Sequence, residues 1–451
     1  SVKNISASYT ITDGTTLPGY LESTQIMGMS DAFDAGSAPG WPFVFGWQDD
    51  DFATKAINNG WFTDDTSMIN PYMMNENRNL NIRATLEPIR GLKIDLTANR
   101  SMSENNNRYY LSAVYGTEPY NEQITGNFSM TYITIFTAFE KISGDNNYYS
   151  QAYEDFKNNR VDISRRLSET RIPNSEHLYN PSDPHASDPG YYAGYGSLSQ
   201  EVMIPAFLSA YGVSDKNNIA LDIFQKIPLP NWNIRFDRLK DIPFLKRYFK
   251  SINISHAYRS TYNIGTFINN LDYTPDQDGY SYIIDKQSNF IPENNISSVS
   301  INEQFAPLIN VDMTWINNLT TRFEMKKSRT ITLSFSNNQI TDVYSDELGV
   351  SLGYRFDNFN LIFDFGKQQE NFKSDLNVRA NLKIRDNMTI LRKIAEDDES
   401  ISAGQQTIVI GVSADYQLSD RLTIRLFYDR NSTEPFISRS YPTANTSFGF
   451  S

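Results

Sequence analysis

The sequence predicts an all-β fold, an antiparallel transmembrane β-barrel that carries long, partly helical outer insertions. Three observations carry that expectation: period-two alternation along most of the chain, joins that alternate between short and long, and a composition rich in aromatics but poor in long apolar runs. In the stretch 402–431, Ile408, Ile410, Val412, Ala414, Tyr416 and Leu418 share one parity, opposed by Thr407, Gly411, Ser413, Asp415 and Gln417. After a turn at Ser419–Asp420, Leu422, Ile424, Leu426 and Tyr428 are opposed by Thr423, Arg425 and Asp429. A period of two places each set on one face of a sheet. One apolar face per strand suits either a sandwich core or a barrel whose outside meets lipid.

Composition narrows the choice. A chain of 451 residues is too long for one ordinary sandwich. Hydrophobic residues make up 39% and mean hydropathy is -0.49, and no stretch approaches the roughly 18 apolar residues of a membrane helix. A strand barrel escapes such averages because half of each strand faces water. The 27 Tyr and 28 Phe fit aromatic girdles at a membrane interface. A net charge of -13 argues against a nucleic-acid partner, which calls for a basic footprint. With no cysteine, disulfides do not staple the fold. Residue 1 already lies in a strand-like run, so the chain reads as a fragment or processed piece of a longer protein.

The period-two test gives about sixteen candidate strands. They lie near 1–12, 78–87, 91–101, 107–115, 122–137, 250–269, 279–287, 296–316, 319–337, 346–357, 359–366, 373–386, 388–396, 402–418, 421–431 and 441–451. The clearest are 91–101, with Leu92, Ile94, Leu96 and Ala98 against Lys93, Asp95, Thr97 and Asn99, and 373–386, with Leu376, Val378, Ala380, Leu382 and Ile384 against Asn377, Arg379, Asn381 and Lys383. Residues 78–101 read as a hairpin closed by Pro88–Gly91, with Leu80, Ile82, Leu92 and Ile94 on its lipid side. The odd joins fall at 13–77, 102–106, 138–249, 288–295, 338–345, 367–372, 397–401 and 432–440. The even joins fall at 88–90, 116–121, 270–278, 317–318, 358, 387 and 419–420, and all but 270–278 are short. Barrels sort their joins this way and sandwiches have no reason to, so the barrel reading is preferred.

Two insertions interrupt the strands. Residues 13–77 are aromatic-rich, and within them Gly40, Trp41, Phe43, Phe45 and Trp47 form a loop with more aromatic surface than solvent tolerates. That loop is expected either to bury itself in a cap or to contact a partner. Residues 138–249 show helical spacing at Tyr149, Ala152, Tyr153, Phe156, Ile163 and Leu167, then a second helix near Val202–Tyr211. They are expected to form a cap at the outer mouth or to sit in the lumen.

Catalytic chemistry has no motif behind it, so the chain is not expected to be an enzyme, and no cofactor or metal is expected. His177, His185 and His256 lack ligand spacing. No GxSxG, P-loop or GxGxxG pattern occurs. Asp276-Gln277-Asp278-Gly279 reads as a turn rather than a calcium loop, and Asp49–Asp51 and Glu396–Glu399 as solvated loop charge.

Several segments together resemble one family. APGWPFVFGWQDDDFATKAINNGWFTDDT (38–66), NLNIRATLEPIRGLKIDLTANR (79–100), and the stretches 228–267, 303–356, 373–394 and 429–450 are similar to the C-terminal part of the SprA/Sov family. These are outer-membrane translocons of the type IX secretion system in Bacteroidota, which also serves gliding motility and surface protein export. The resemblance implies that residues 1–451 form the C-terminal arc of a very large barrel, of about thirty-six strands. It implies a protein-conducting channel for folded cargo in the outer membrane of a Gram-negative bacterium. It implies as partners outer-membrane lipids, a PorV-type shuttle barrel, a periplasmic plug protein and secreted cargo. The family usually runs a few residues beyond the TANT–G segment, so a truncated closing strand is expected.

On the barrel reading the lumen set is Arg83, Lys93, Asp95, Asn99, Arg379, Lys383, Arg425 and Asp429. Mixed signs and amides keep a passage hydrated without one adhesive field, which suits varied protein surfaces. Two other classes compete: a porin or nutrient receptor, which needs a complete barrel here, and a β-rich surface adhesin, which lacks the sorted joins.

Overall fold

The computed structural model describes residues 1–31, 36–171, 190–364, 369–396, 398–419, 422–437 and 440–451. Its frame is one antiparallel sheet of 14 strands. These are β1 (Val2–Thr16), β2 (Tyr72–Leu86), β3 (Leu92–Tyr109), β4 (Asn121–Thr131), β5 (Asn231–Phe236), β6 (Phe249–Asn269) and β7 (Asn294–Ile296). There follow β8 (Ser298–Trp315), β9 (Leu319–Ser334), β10 (Gln339–Asp364), β11 (Gln369–Lys393), β12 (Asp398–Ser419), β13 (Leu422–Pro435) and β14 (Thr443–Phe450). Strands pair in chain order as a meander, with β7 a short partner of β6. Helices are α1 (Trp41–Val44), α2 (Phe52–Asn58), α3 (Ser112–Tyr115), α4 (Gln151–Arg171), α5 (Gln200–Tyr211) and α6 (Pro243–Lys246).

One slot of the sheet is shared. β4 pairs with the later half of β3, from Arg100↔Met130 to Tyr109↔Asn121. β5 pairs with its first half, from Leu92↔Phe236 to Thr97↔Asn231. Both then pair with β6 on the far side. β4 and β5 are therefore one strand line, interrupted by residues 132–230. The chain leaves and re-enters at one point, where Leu229 N–H donates to Thr131 O at 3.0 Å. The slot closes through Asn99 N–H to Thr131 Oγ1 at 3.1 Å and Ser260 N–H to Asn231 Oδ1 at 2.8 Å.

Most strands stand where the alternation puts them, and the hairpin β2–β3 is paired as expected. Several boundaries are corrected. Residues 102–106 continue β3, and 107–115 ends as α3 rather than as a strand. Residues 279–287 form no strand, and Asp276–Gly279 is a turn closed by Gly279 N–H to Asp276 O at 2.9 Å. The join expected at 338–345 is a turn that ends before Gln339, and 387 lies inside β11. Residue 358 is a bulge rather than a turn. Register shifts between Phe356 and Phe359, and Asn358 adopts the left-handed φ of 54° that local amide chemistry tolerates. Of the joins expected at 367–372, 397–401 and 419–420, residues 369–372 open β11, 398–401 open β12 and Ser419 closes it, while 367–368, 397 and 420, with His177 and His185, lie outside the described residues.

Apart from the insertion 132–230, the long joins 17–71 and 270–293 share one end, while at the other end 87–91 and 316–318 are short and 237–248 is longer. β10 has 26 residues and β11 has 25, far beyond the roughly 9–11 that cross a bilayer.

Candidate functional site

The pairing register fixes two chemically opposed faces. On the first, a belt runs from Ile5, Ala7 and Tyr9 of β1 through Leu80, Ile82 and Ala84 of β2 to Ile94 and Leu96 of β3. It continues through Trp232 and Ile234, Ile254, Val311 and Phe323. It ends on Leu348, Val350 and Leu352 of β10, Ala380, Leu382 and Ile384 of β11, Ile408, Ile410 and Val412 of β12, and Leu426 of β13. These side chains lack cover: Ile5 is 66% exposed, Leu352 47% and Leu426 46%. Eleven strands at about 4.8 Å spacing make the belt about 50 Å wide. Soluble monomers rarely expose contiguous apolar patches beyond a few hundred Å². Aromatics mark its lower margin, with ring centroids of Phe249 and Trp315 4.2 Å apart and of Tyr354 and Phe356 4.5 Å apart.

The second face is polar. All eight residues of the expected lumen set lie on it: Arg83 opposite Thr97, Lys93, Asp95 and Asn99 on β3, Arg379 and Lys383 opposite Gly353 and Gly349, and Arg425 and Asp429 opposite Asp415 and Gly411. Charges of both signs meet across strands. Glu347 sits between Lys383 at 2.9 Å and Arg385 at 2.5 Å, and Arg322 faces Asp312 at 3.3 Å.

Above the belt the apolar parity persists, and here the insertions cover it. Phe128, Met130, Tyr262, Ile264, Val299, Ile301, Ile331, Leu333 and Ile340 form one core with α4 and α5. The smaller insertion builds a second core from Phe52, Ala53, Ala56 and Phe62 on Tyr72 and Met74 of β2. Both insertions thus lie on the belt face, opposite the polar face. The insertion at 138–249, expected as a cap at the mouth or in the lumen, thus shares no face with the eight residues expected to line a lumen. The physical reason is parity: upper-strand apolar side chains beyond the belt need a protein partner.

Buried polar pairs fasten the larger insertion. Arg329 and Asp342, 1% and 0% exposed, are bidentate: Nε to Oδ1 at 2.9 Å and Nη2 to Oδ2 at 2.7 Å. Tyr344 Oη donates to the same carboxylate at 2.6 Å, while Arg329 Nη1 donates to Thr137 O at 3.2 Å. Glu303 accepts from Thr134 Oγ1 at 2.7 Å and from Tyr258 Oη at 2.8 Å. In α5, one oxygen of Glu201 is buried without a hydrogen-bond partner among the described residues. Burial pushes this carboxyl up to about 7, against the pull of Arg171.

The aromatic loop divides its residues. Gly40, at φ 91°, starts the helical turn α1. Phe43 turns inward and stacks on Phe52 at 4.6 Å. Trp41 stacks on Phe45 at 5.7 Å, and Phe45 and Trp47 are 74% and 72% exposed. Phe43 is thus packed within the insertion, while Phe45 and Trp47 stay largely exposed. The nearby acidic run is loop charge, with Asp49 held below the usual carboxylate range by the 2.6 Å hydrogen bond from Lys55.

His256 has a structural role, accepting from Trp232 Nε1 at 3.0 Å on Nε2 and meeting Leu308 O at 2.6 Å through Nδ1. The described residues hold no cluster of three or more His, Cys, Asp or Glu that could bind a metal. No helix among them is long and apolar enough to cross a membrane, which leaves crossing by strands open. Comparison with family models and with curated proteins finds no match to this chain.

Proposed function

We propose that this chain is an arc of a transmembrane β-barrel that conducts folded proteins across the outer membrane of a Gram-negative bacterium, as the resemblance to the SprA/Sov family implies. The observation that carries the reading is the two-faced sheet: an uncovered apolar belt on one side and a mixed-charge polar surface on the other. From Leu348 to Phe356 the belt of β10 spans about 27 Å along the strand, and at barrel tilt about 20 Å of height, close to the apolar band of outer-membrane barrels. Lipid supplies the missing cover. The polar face then lines water, and its mixed charges leave no single-sign field to hold a passing protein. β1 and β14 each pair on one side only among the described residues, so the sheet needs further strands to remove its edges. That favours an arc of a larger wall over a porin or nutrient receptor closed by this stretch alone, and a surface adhesin leaves the belt unexplained. A PorV-type barrel, a plug protein and cargo are the partners this reading supplies.

The test is site-specific crosslinking in cells with a stalled secreted protein. A photo-crosslinker at Lys383 should capture cargo, and one at Leu382 should not. Cargo captured equally at both, or at neither while secretion proceeds, contradicts the reading.

A further inference from the structure

The chain between Thr131 and α4 runs across the strands instead of along them. Thr134 meets Tyr258 of β6 and Glu303 of β8, Thr137 meets Arg329 of β9, and the Tyr148 carbonyl accepts from Arg392 of β11 at 3.2 Å. Residues 132–148 thus form a strap across five neighbouring strands, β6 to β11, on the belt face. Its first part adjoins the belt. Ala138, Ile133 and Ile135 pack with Tyr258, Phe305, Trp232 and Leu308. Phe305, against which the strap's Phe139 packs, pairs with Lys327 of β9, two residues from Met325, about 7 Å along the strand and about 5 Å in height at barrel tilt. A bilayer's interfacial layer is about 5–8 Å deep on each side.

The strap also presents apolar side chains with little protein cover. Phe136 is 77% exposed and Phe139 is 56% exposed, the latter with its ring 5.2 Å from Phe305. Polar residues punctuate it, among them Glu140, Lys141 and Asp145. Below it on the wall sit Lys327 and Asp346, paired at 2.9 Å. Aromatic side chains with a polar surround are the chemistry that settles at the headgroup level of a bilayer.

We propose that residues 132–148 form an interfacial strap, whose Phe136 and Phe139 insert among the lipid glycerol and upper acyl segments at the belt's margin. This rests on the reading of the belt as the lipid-facing surface. The strap then lies in the membrane plane outside the wall, holding the helical insertion against the bilayer surface.

The test uses single cysteines, because this chain contains none. Phe136→Cys and, separately, Leu352→Cys are introduced into the whole protein, labelled with a bimane and reconstituted in phosphatidylcholine vesicles. Brominated lipids then place a quencher either near the glycerol or near the chain ends. The strap predicts loss of Phe136-site emission mainly with shallow bromines, and loss at the Leu352 site mainly with deep ones. Quenching at Leu352 without quenching at Phe136 overturns the strap and leaves the belt reading intact. Deep bromines quenching the Phe136 site more strongly overturns its interfacial level. No quenching at either site overturns the belt reading and the strap with it.

Discussion

Replacing Asp342 by Ala should detach the helical insertion from the wall. The carboxylate takes two hydrogen bonds from Arg329, at 2.9 and 2.7 Å, and one from Tyr344 at 2.6 Å. Its loss leaves Arg329, 1% exposed, with Thr137 O at 3.2 Å and Thr137 Oγ1 at 3.4 Å. A buried guanidinium stripped of its counter-ion costs about 3–5 kcal/mol. At 1.4 kcal/mol per tenfold, the detached population should rise more than about a hundredfold. Replacing both partners, as in Arg329→Met with Asp342→Leu, removes the charge along with the vacancy and should recover most of the loss. Hydrogen exchange read on Gln151–Arg171 and Gln200–Tyr211 reports the local opening. A single-variant cost below about 1 kcal/mol, or a double variant worse than the single, refutes the view that this pair fastens the insertion.

Trp41→Ala combined with Phe45→Ala should leave thermal stability within about 0.5–1 kcal/mol of the parent, while Phe43→Ala, which empties the stacking place on Phe52, should cost about 2–4 kcal/mol; thermal unfolding separates them, and recovery of the proposed shuttle barrel should fall only for the outward pair. The Glu201 carboxyl is pushed up to about 7 from an ordinary 4.5, so its folded form binds a proton that the unfolded form releases. Stability of the insertion should therefore decline as pH rises from about 4.5 to about 7, by up to about 3 kcal/mol. Glu201→Gln should flatten that profile, and an unchanged profile counts against the assignment. Gly126→Ala would place a Cβ 2.3 Å from both Ser103 O and the Phe267 ring. It should cost about 1–3 kcal/mol, read as a lower melting temperature.

Much of the sheet was legible because its chemistry repeats every second residue. Leu376 to Ile384 declare their face without any tertiary information, and the eight polar residues fell on one side because parity survives small boundary errors. The boundaries themselves were less legible. Asn358 carries turn chemistry, yet the long pairing of β10 with β11 absorbs it as a bulge. β5 was missed although Trp232, Ile234 and Phe236 alternate with Asn231, Asn233 and Arg235, because a six-residue run inside a helical insertion looks like noise. Nothing local says that β4 and β5 share one slot, since that juxtaposition joins residues a hundred positions apart only in the folded chain. The insertion's side of the sheet was present in the sequence as surplus apolar parity. Ile331, Leu333 and Ile340 extend the apolar face past the height that one bilayer covers.

Cysteine scanning of β11 tests the central claim most directly. Spin labels at each position from Val378 to Ile384 in the reconstituted protein are read for collision with oxygen, which concentrates in lipid, and with a water-soluble nickel chelate. The account predicts a strict period of two, with Val378, Ala380, Leu382 and Ile384 favouring oxygen and Arg379, Asn381 and Lys383 favouring the chelate. Access to the chelate at every position, with no alternation, contradicts it.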